Sequence, residues 1–274
     1  ATDEWTAPAH GEADFYTDMF DEDSDGYAPN AARMANIQCE NCHGPNGAPT
    51  THADGEMSHR ISAGSEVCAT CHGEPLRHAR FQQWQLSGHS ERGMSGPSRA
   101  TNSSCARCHT AQGFSLYVAN LMDGNTGDIA EEDIYWGANE GEPVTCVACH
   151  DSHDIGTSTG VGGDAHVRVM DDVPMLPGGF AVADAGSGAL CMTCHNSRRG
   201  LRHDSVEDIG YSGPHGSAQT DVFVGENAFF VGTAGIDPGA RSRHAYIEDT
   251  CVTCHLEATE PPDDLSYNLG GTNH

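Results

Sequence analysis

Cys105-Ala106-Arg107-Cys108-His109 is one of six stretches in which a cysteine pair spaced C-x-x-C is followed at once by histidine. The others are CENCH (39–43), CATCH (68–72), CVACH (146–150), CMTCH (191–195) and CVTCH (251–255). Together they use all 12 cysteines of the chain. Zinc half-sites or a disulfide framework would use the same cysteine pairs. Neither requires histidine at the next position, whereas C-x-x-C-H is the attachment signature of c-type haem. In that chemistry the thioethers come from Cys39, Cys42, Cys68, Cys71, Cys105, Cys108, Cys146, Cys149, Cys191, Cys194, Cys251 and Cys254. The adjacent His43, His72, His109, His150, His195 and His255 become the proximal iron ligands. The motifs therefore predict six covalently attached c-type haems.

Composition leads to the same expectation by another route. Val, Leu, Ile and Phe number only 40 of 274 residues, and 40 Asp and Glu face 13 Arg with no Lys, for a formal charge of −27. A chain so poor in core-formers and so highly charged would ordinarily be disordered, because side-chain burial cannot offset the entropy of ordering the backbone. Large flat apolar groups supply the missing core. The predicted fold is mostly coil with few short α-helices and little β, a multihaem c-type cytochrome wrapped around a chain of stacked haems. The negative charge argues against nucleic acid and anionic lipid as partners. The absence of Lys hints at a saline habitat, and it excludes the lysine-ligated C-x-x-C-K motif of pentahaem nitrite reductases. No apolar run approaches 18 residues, so no membrane span is expected. The start at Ala1, without Met, suits an exported form after signal-peptide cleavage.

Eleven histidines lie outside the motifs, enough to fill the second axial position of every iron. Bis-histidine ligation closes both faces of the iron and makes an electron carrier rather than a catalyst. Local context favours His52, His78, His89, His153, His215 and His244 as distal ligands, with His10 and His59 next. His52 follows the first motif in a Gly/Pro loop, and His78 and His89 flank Trp84 on a predicted short helix. His153 stands too close to His150 to reach over the same haem and is expected to serve a neighbouring one. A methionine sulfur at one site would raise its potential.

Several longer strings resemble a known group. CENCHGP, RHARFQQWQLSGH (77–89), CARCHTAQGF, CVACHDSHD, CMTCHNSRRG, GPHGSAQTDVFVGENAF (213–229) and CVTCH after His244 are similar to extracellular multihaem c-type cytochromes of the OmcE/OmcS-like filament (nanowire) family. The resemblance runs from about residue 36 to 255 and is most specific from His89 to His255. It implies bis-histidine haems near van der Waals contact, in alternating slipped-parallel and T-shaped pairs. It also implies copies of the chain assembled into an extracellular or cell-surface filament, with other redox proteins or extracellular electron acceptors as partners. In such filaments one subunit can lend a histidine to its neighbour, and His10 is the candidate donor here. A soluble periplasmic electron shuttle, and a multihaem reductase with one open haem, are the alternative readings.

Motif spacings of 29, 37, 41, 45 and 60 residues are too irregular for a solenoid. Residues 1–35 read as an acidic N-terminal arm and 36–274 as a single hexahaem domain. Weak helical periodicity appears near 78–87, 112–122 and 245–257, a strand is expected at 221–231, and 155–165, 177–189 and 210–217 read as Gly/Ser-rich loops. In the arm, DEDSDGY (21–27) opens like a calcium loop, making Asp21, Asp23 and Asp25 candidate Ca2+ ligands. The twelfth position is Ala32 rather than Glu, which does not support an EF-hand. Arg198, Arg199 and Arg202 are candidates to pair with haem propionates, or simply surface ion pairs.

Overall fold

The computed structural model describes residues 42, 62–73, 80–153, 167–198, 215–226 and 243–256. The chain divides into two units, Ala1–Ser62 and Ala63–His274. Of the first, only Cys42, which is helical and exposed, and Ser62 are described. The expected acidic arm, its boundary at 35 and the candidate calcium loop therefore lie outside the described residues.

In the second unit, about half of the described residues are helical, in pieces of one to three turns. They are α1 (Glu66–His72), α2 (Arg80–Leu86), α3 (Pro97–Ala100), α4 (Ser103–His109), α5 (Ala111–Met122), α6 (Cys146–Cys149), α7 (Ala189–Cys194), α8 (Gln219–Val224) and α9 (Cys251–His255). Short 3₁₀ turns occupy Gly88–Ser90, Arg92–Ser95, Glu131–Asp133 and Arg243–Tyr246. Among the described residues no helix is long and apolar enough to cross a membrane.

The longest helix, α5, organises the core. Its Phe114, Tyr117, Val118 and Leu121 follow the i, i+3, i+4, i+7 spacing of one helix face, and all four are buried. Thr110 joins α4 to α5. Its hydroxyl donates to the Ala106 carbonyl at 3.0 Å and accepts from the Gly113 N–H at 3.0 Å, capping the second helix while tying it to the first. Asn102 caps α4 by accepting from the Cys105 N–H at 3.0 Å. Two tryptophans reach across the chain to carbonyls: Trp136 to Ala100 at 2.7 Å and Trp84 to Val144 at 2.8 Å.

Against this lies an antiparallel hairpin, β1 (Asp171–Val173) with β2 (Val182–Gly186), whose register is irregular between Asp171 and Val173. The loop expected over 177–189 thus holds β2 and the start of α7. Buried Val182 and Ala185 against the core outweigh the glycines there. The strand expected from 221 is also corrected, for 219–224 form helix α8. Its Thr220, Asp221 and Val224 point inward at helical spacing, and Gly225 ends it in the left-handed region at φ 78°. Residues 227–231 lie outside the described set.

The α4–α5 corner needs glycine for closeness. A Cβ on Gly113 would stand 2.3 Å from the Ala106 carbonyl oxygen, which is backbone and cannot step aside. Gly113→Ala is expected to lower stability by roughly 1–3 kcal/mol, as overpacking does. Gly93→Ala, which meets nothing within 4 Å, should be near neutral. Thermal unfolding of the two variants checks this, and equal melting temperatures would contradict it.

Candidate haem-ligand sites

Each fully described C-x-x-C-H ends a short helix or forms the whole of one, and helical geometry explains why that matters. Positions i, i+3 and i+4 share one helix face, so the two sulfurs and the imidazole point the same way. In α1, α4 and α9 the histidine is the last helical residue. In α6 and α7 the helix stops at the second cysteine, and His150 and His195 follow as caps. Their backbone N–H groups still close the turn on Cys146 and Cys191, each at 2.9 Å.

Two of the expected distal histidines stand opposite motif histidines. The ring centroids of His109 and His215 are 6.1 Å apart, and those of His89 and His195 are 6.2 Å apart. A metal bound by two imidazoles sets this separation: ~2 Å from metal to nitrogen and ~1 Å from nitrogen to ring centre, on each side, comes to about 6 Å. The protonation state suits the same purpose, because a ligating imidazole must be neutral. Burial holds His89 below its ordinary pKa, with His195 adding to the effect. Burial also lowers His109, assisted by Arg99, His215 and Arg198, and lowers His215, assisted by Arg198, Arg107 and Arg99. The Met94 backbone works against this lowering at His109.

The segments that bring these histidines in are tied down by small polar groups. His89 sits in the Gly88–Ser90 turn, where the Ser90 hydroxyl donates to Gln85 and Ser87 carbonyls, each at 2.9 Å. For His215 the anchor is the loop after the fifth motif. Its backbone N–H donates to the Ser197 carbonyl at 3.3 Å, while Ser197 donates through N–H and hydroxyl to buried Asp221. Thr220 donates through both its N–H (2.8 Å) and hydroxyl (2.7 Å) to the His195 carbonyl. The fifth motif thus holds in place the histidine that faces the third. Ser197, Thr220 and Asp221 escaped the sequence reading, since isolated Ser, Thr and Asp in a chain this polar carry no distinguishing signal.

The cysteines also meet across motifs. The described cysteines are free thiols, and Cys68 lies beside Cys146, Cys108 beside Cys194, and Cys191 beside Cys251. In each contact one thiol is favoured for ionisation. Cys146 is brought down to about 6 by Cys68, and Cys251 to about 7 by Cys191, which is itself pushed up. Cys108 is lowered by Cys194, whose own thiol rises. Burial pushes Cys149 up to about 11. The depressed members are the more reactive nucleophiles. By these contacts the second motif lies beside the fourth, the third beside the fifth and the fifth beside the sixth.

Of the other expected ligands, His244 faces Phe223 at 6.4 Å between ring centroids. With Ala218, Gln219, Val222 and Phe223 it lines an open hollow of about 580 Å³. His153 is exposed, and its backbone N–H donates to Asp151 at 3.0 Å. His10, His52, His59, His78, Cys39 and His43 lie outside the described residues, as do Arg199 and Arg202. Among the described residues no three His, Cys, Asp or Glu side chains form a group able to hold a metal on their own. A haem needs only two axial protein ligands, since the porphyrin supplies four nitrogens. On donor set and ring separation, the two imidazole pairs fit that group.

His89→Ala and His215→Ala are each expected to turn one low-spin haem of the loaded protein high-spin, leaving the others unchanged. Electron paramagnetic resonance reads this directly, and a spectrum identical to the parent's would contradict the pairing. Family models, curated proteins and solved structures yield no match to this chain.

Proposed function

We propose that the chain is a hexahaem c-type cytochrome that conducts electrons through closely spaced bis-histidine haems. Its setting is an extracellular filament of which it is the subunit, serving extracellular electron transfer. The observation that carries the reading is the pair of imidazole–imidazole separations, 6.1 and 6.2 Å, each joining a C-x-x-C-H histidine to one expected as a distal ligand.

Each haem, when bound, supplies a one-electron Fe(III)/Fe(II) couple. The chain's residues do the rest. The cysteine pairs fix each porphyrin edge to a helix face, and the contacts Cys68–Cys146, Cys108–Cys194 and Cys191–Cys251 bring neighbouring attachment edges together. His109 with His215, and His89 with His195, would hold the iron, and an imidazole on each side of it would leave no place for a substrate. Thr220, Ser197 and Asp221 keep this geometry fixed, which favours fast electron exchange because little has to move. The resemblance of the His89–His255 section to filament cytochromes supports the assembly, and the charge of −27 keeps single chains dispersed unless a specific contact joins them.

Electron microscopy of haem-loaded protein from the cell exterior tests the proposal. Uniform filaments whose repeating volume fits one 29.0 kDa chain are expected. Compact single particles would overturn the filament and favour the soluble periplasmic shuttle.

A further inference from the structure

Two short strings recur beside the motifs. Ala-Gly-Ser stands at 63–65, shortly before the second motif, and again at 185–187, shortly before the fifth. Thr-Cys-Val opens the fourth motif at 145–147 and the sixth at 250–252. Neither string occurs elsewhere in the chain, and Gln38 precedes Cys39 while Ser104 precedes Cys105. The structure brings each Ala-Gly-Ser to one Thr-Cys-Val. Thr145 donates its hydroxyl to the Ala63 carbonyl, and Thr250 donates its hydroxyl to the Ala185 carbonyl at 2.8 Å. Both threonines are buried. The serines make a second tie. Ser65 accepts from the Cys146 N–H at 3.2 Å, and Ser187 donates through its N–H (2.9 Å) and hydroxyl (2.8 Å) to Asp249. In both places the first cysteines of the joined motifs lie side by side, Cys68 with Cys146 and Cys191 with Cys251.

The contact between the fifth and sixth motifs is built closely. A Cβ on Gly188 would stand 2.0 Å from the Thr250 hydroxyl and 2.8 Å from the Cys251 nitrogen, and one on Gly186 would stand 2.6 Å from the Asp249 carboxylate. Gly188 is an extra residue here, for Ala63 precedes Cys68 by five positions and Ala185 precedes Cys191 by six. The serine accordingly bonds the residue before the threonine instead of the cysteine after it. Asp249 and Thr250 both take positive φ, 56° and 41°. A β-branched residue is strained there, and such a backbone persists where its surroundings hold it in place. The third motif is joined in another way. Its helix is capped by its own Asn102, Arg198 donates to the Ser104 carbonyl at 3.4 Å, and it is the second cysteine, Cys108, that meets Cys194.

We propose that Ala-Gly-Ser and Thr-Cys-Val form one clamp used twice, which positions the second motif beside the fourth and the fifth beside the sixth as two equivalent haem pairs. The proposal rests on the hexahaem reading. Within a pair one iron is oxidised as the other is reduced, the first electron coming from a partner redox protein or an electrode, and the rate of that exchange falls steeply as the gap widens. The clamp acts on the gap, because it ties the two chain segments together at the residues that lead into the attached cysteines. A buried threonine hydroxyl suits the task. Removing it leaves the facing carbonyl short of a partner, which favours opening the contact to water. The third haem then stands outside both pairs and meets the fifth across the other cysteine edge.

Circular dichroism of the haem-loaded protein across the Soret band tests this, because haems held close together give a split couplet whose size depends on their spacing. Thr145→Val and Thr250→Val keep the branched shape and remove the hydroxyl. Each should lose a share of the couplet, and the double variant should lose the sum, since the two pairs are separate. The low-spin paramagnetic resonance signals should persist in both, which distinguishes a change of spacing from a loss of ligands. Thr145→Ser and Thr250→Ser should retain the parent couplet. Thr101→Val, which removes an exposed hydroxyl bonded to the nearby Pro97 carbonyl, should leave it in place. An unchanged couplet in either valine variant would overturn the proposal even if that variant melts lower, as would serine variants that lose as much as the valines. Asp249→Ala removes both Ser187 bonds at a part-exposed position and keeps the test valid if a valine variant does not fold. It should lower the couplet, whereas Asp249→Asn, whose amide oxygen still accepts, should not; equal couplets in these two would also overturn the clamp. Intact mass, read first, separates the two levels: a chain without covalent haem defeats the functional reading itself, whereas six haems with an unmoved couplet defeat only the clamp.

Discussion

Imidazoles from distant segments face each other in the described structure, His109 with His215 and His89 with His195. Each pair closes a long loop of chain, and closing such loops costs entropy that this sequence has few apolar side chains to offset. Ligand bonds to a shared metal would offset it, much as metal binding and folding are one event in small metalloproteins. The surrounding hydrogen bonds then read as guides. Thr220 on the His195 carbonyl and Ser197 on Asp221 set the approach of His215 and leave the last connection to the imidazoles.

The packing follows the same economy. A compact apolar core exists, but it gathers around α5 and the β1–β2 hairpin rather than around every motif. Elsewhere buried hydroxyls do the joining. Thr145 donates to the Ala63 carbonyl, Thr250 to Ala185 at 2.8 Å, and Asp249 accepts from both the N–H and hydroxyl of Ser187. These contacts link the approach to one cysteine motif with the chain beside another. Motifs distant in sequence are thus set side by side with little side-chain volume between them.

Much of the candidate site was legible because its signal is covalent chemistry rather than propensity. A cysteine pair followed by histidine stands out whatever the fold, and His215 stands out from its turn; His89 is expected on a short helix with His78, whereas that helix ends at Leu86 and His89 sits in the 3₁₀ turn beyond it. Helix α5 was visible as periodicity over 112–122, since Phe114, Tyr117, Val118 and Leu121 face one side. What stayed hidden had no local signal. The helix at 219–224 looked like a strand because Val222, Phe223 and Val224 form a β-prone run, and it is tertiary burial of Thr220 and Asp221 that decides otherwise. The hairpin was masked by glycines.

The central claim is that imidazoles hold both faces of each iron. Near-infrared magnetic circular dichroism of the haem-loaded protein measures it most directly, because bis-histidine, histidine–methionine and high-spin haems give separate bands. The account predicts low-spin bis-histidine bands alone, with an intensity matching six haems per chain. A dominant histidine–methionine or high-spin band would contradict it.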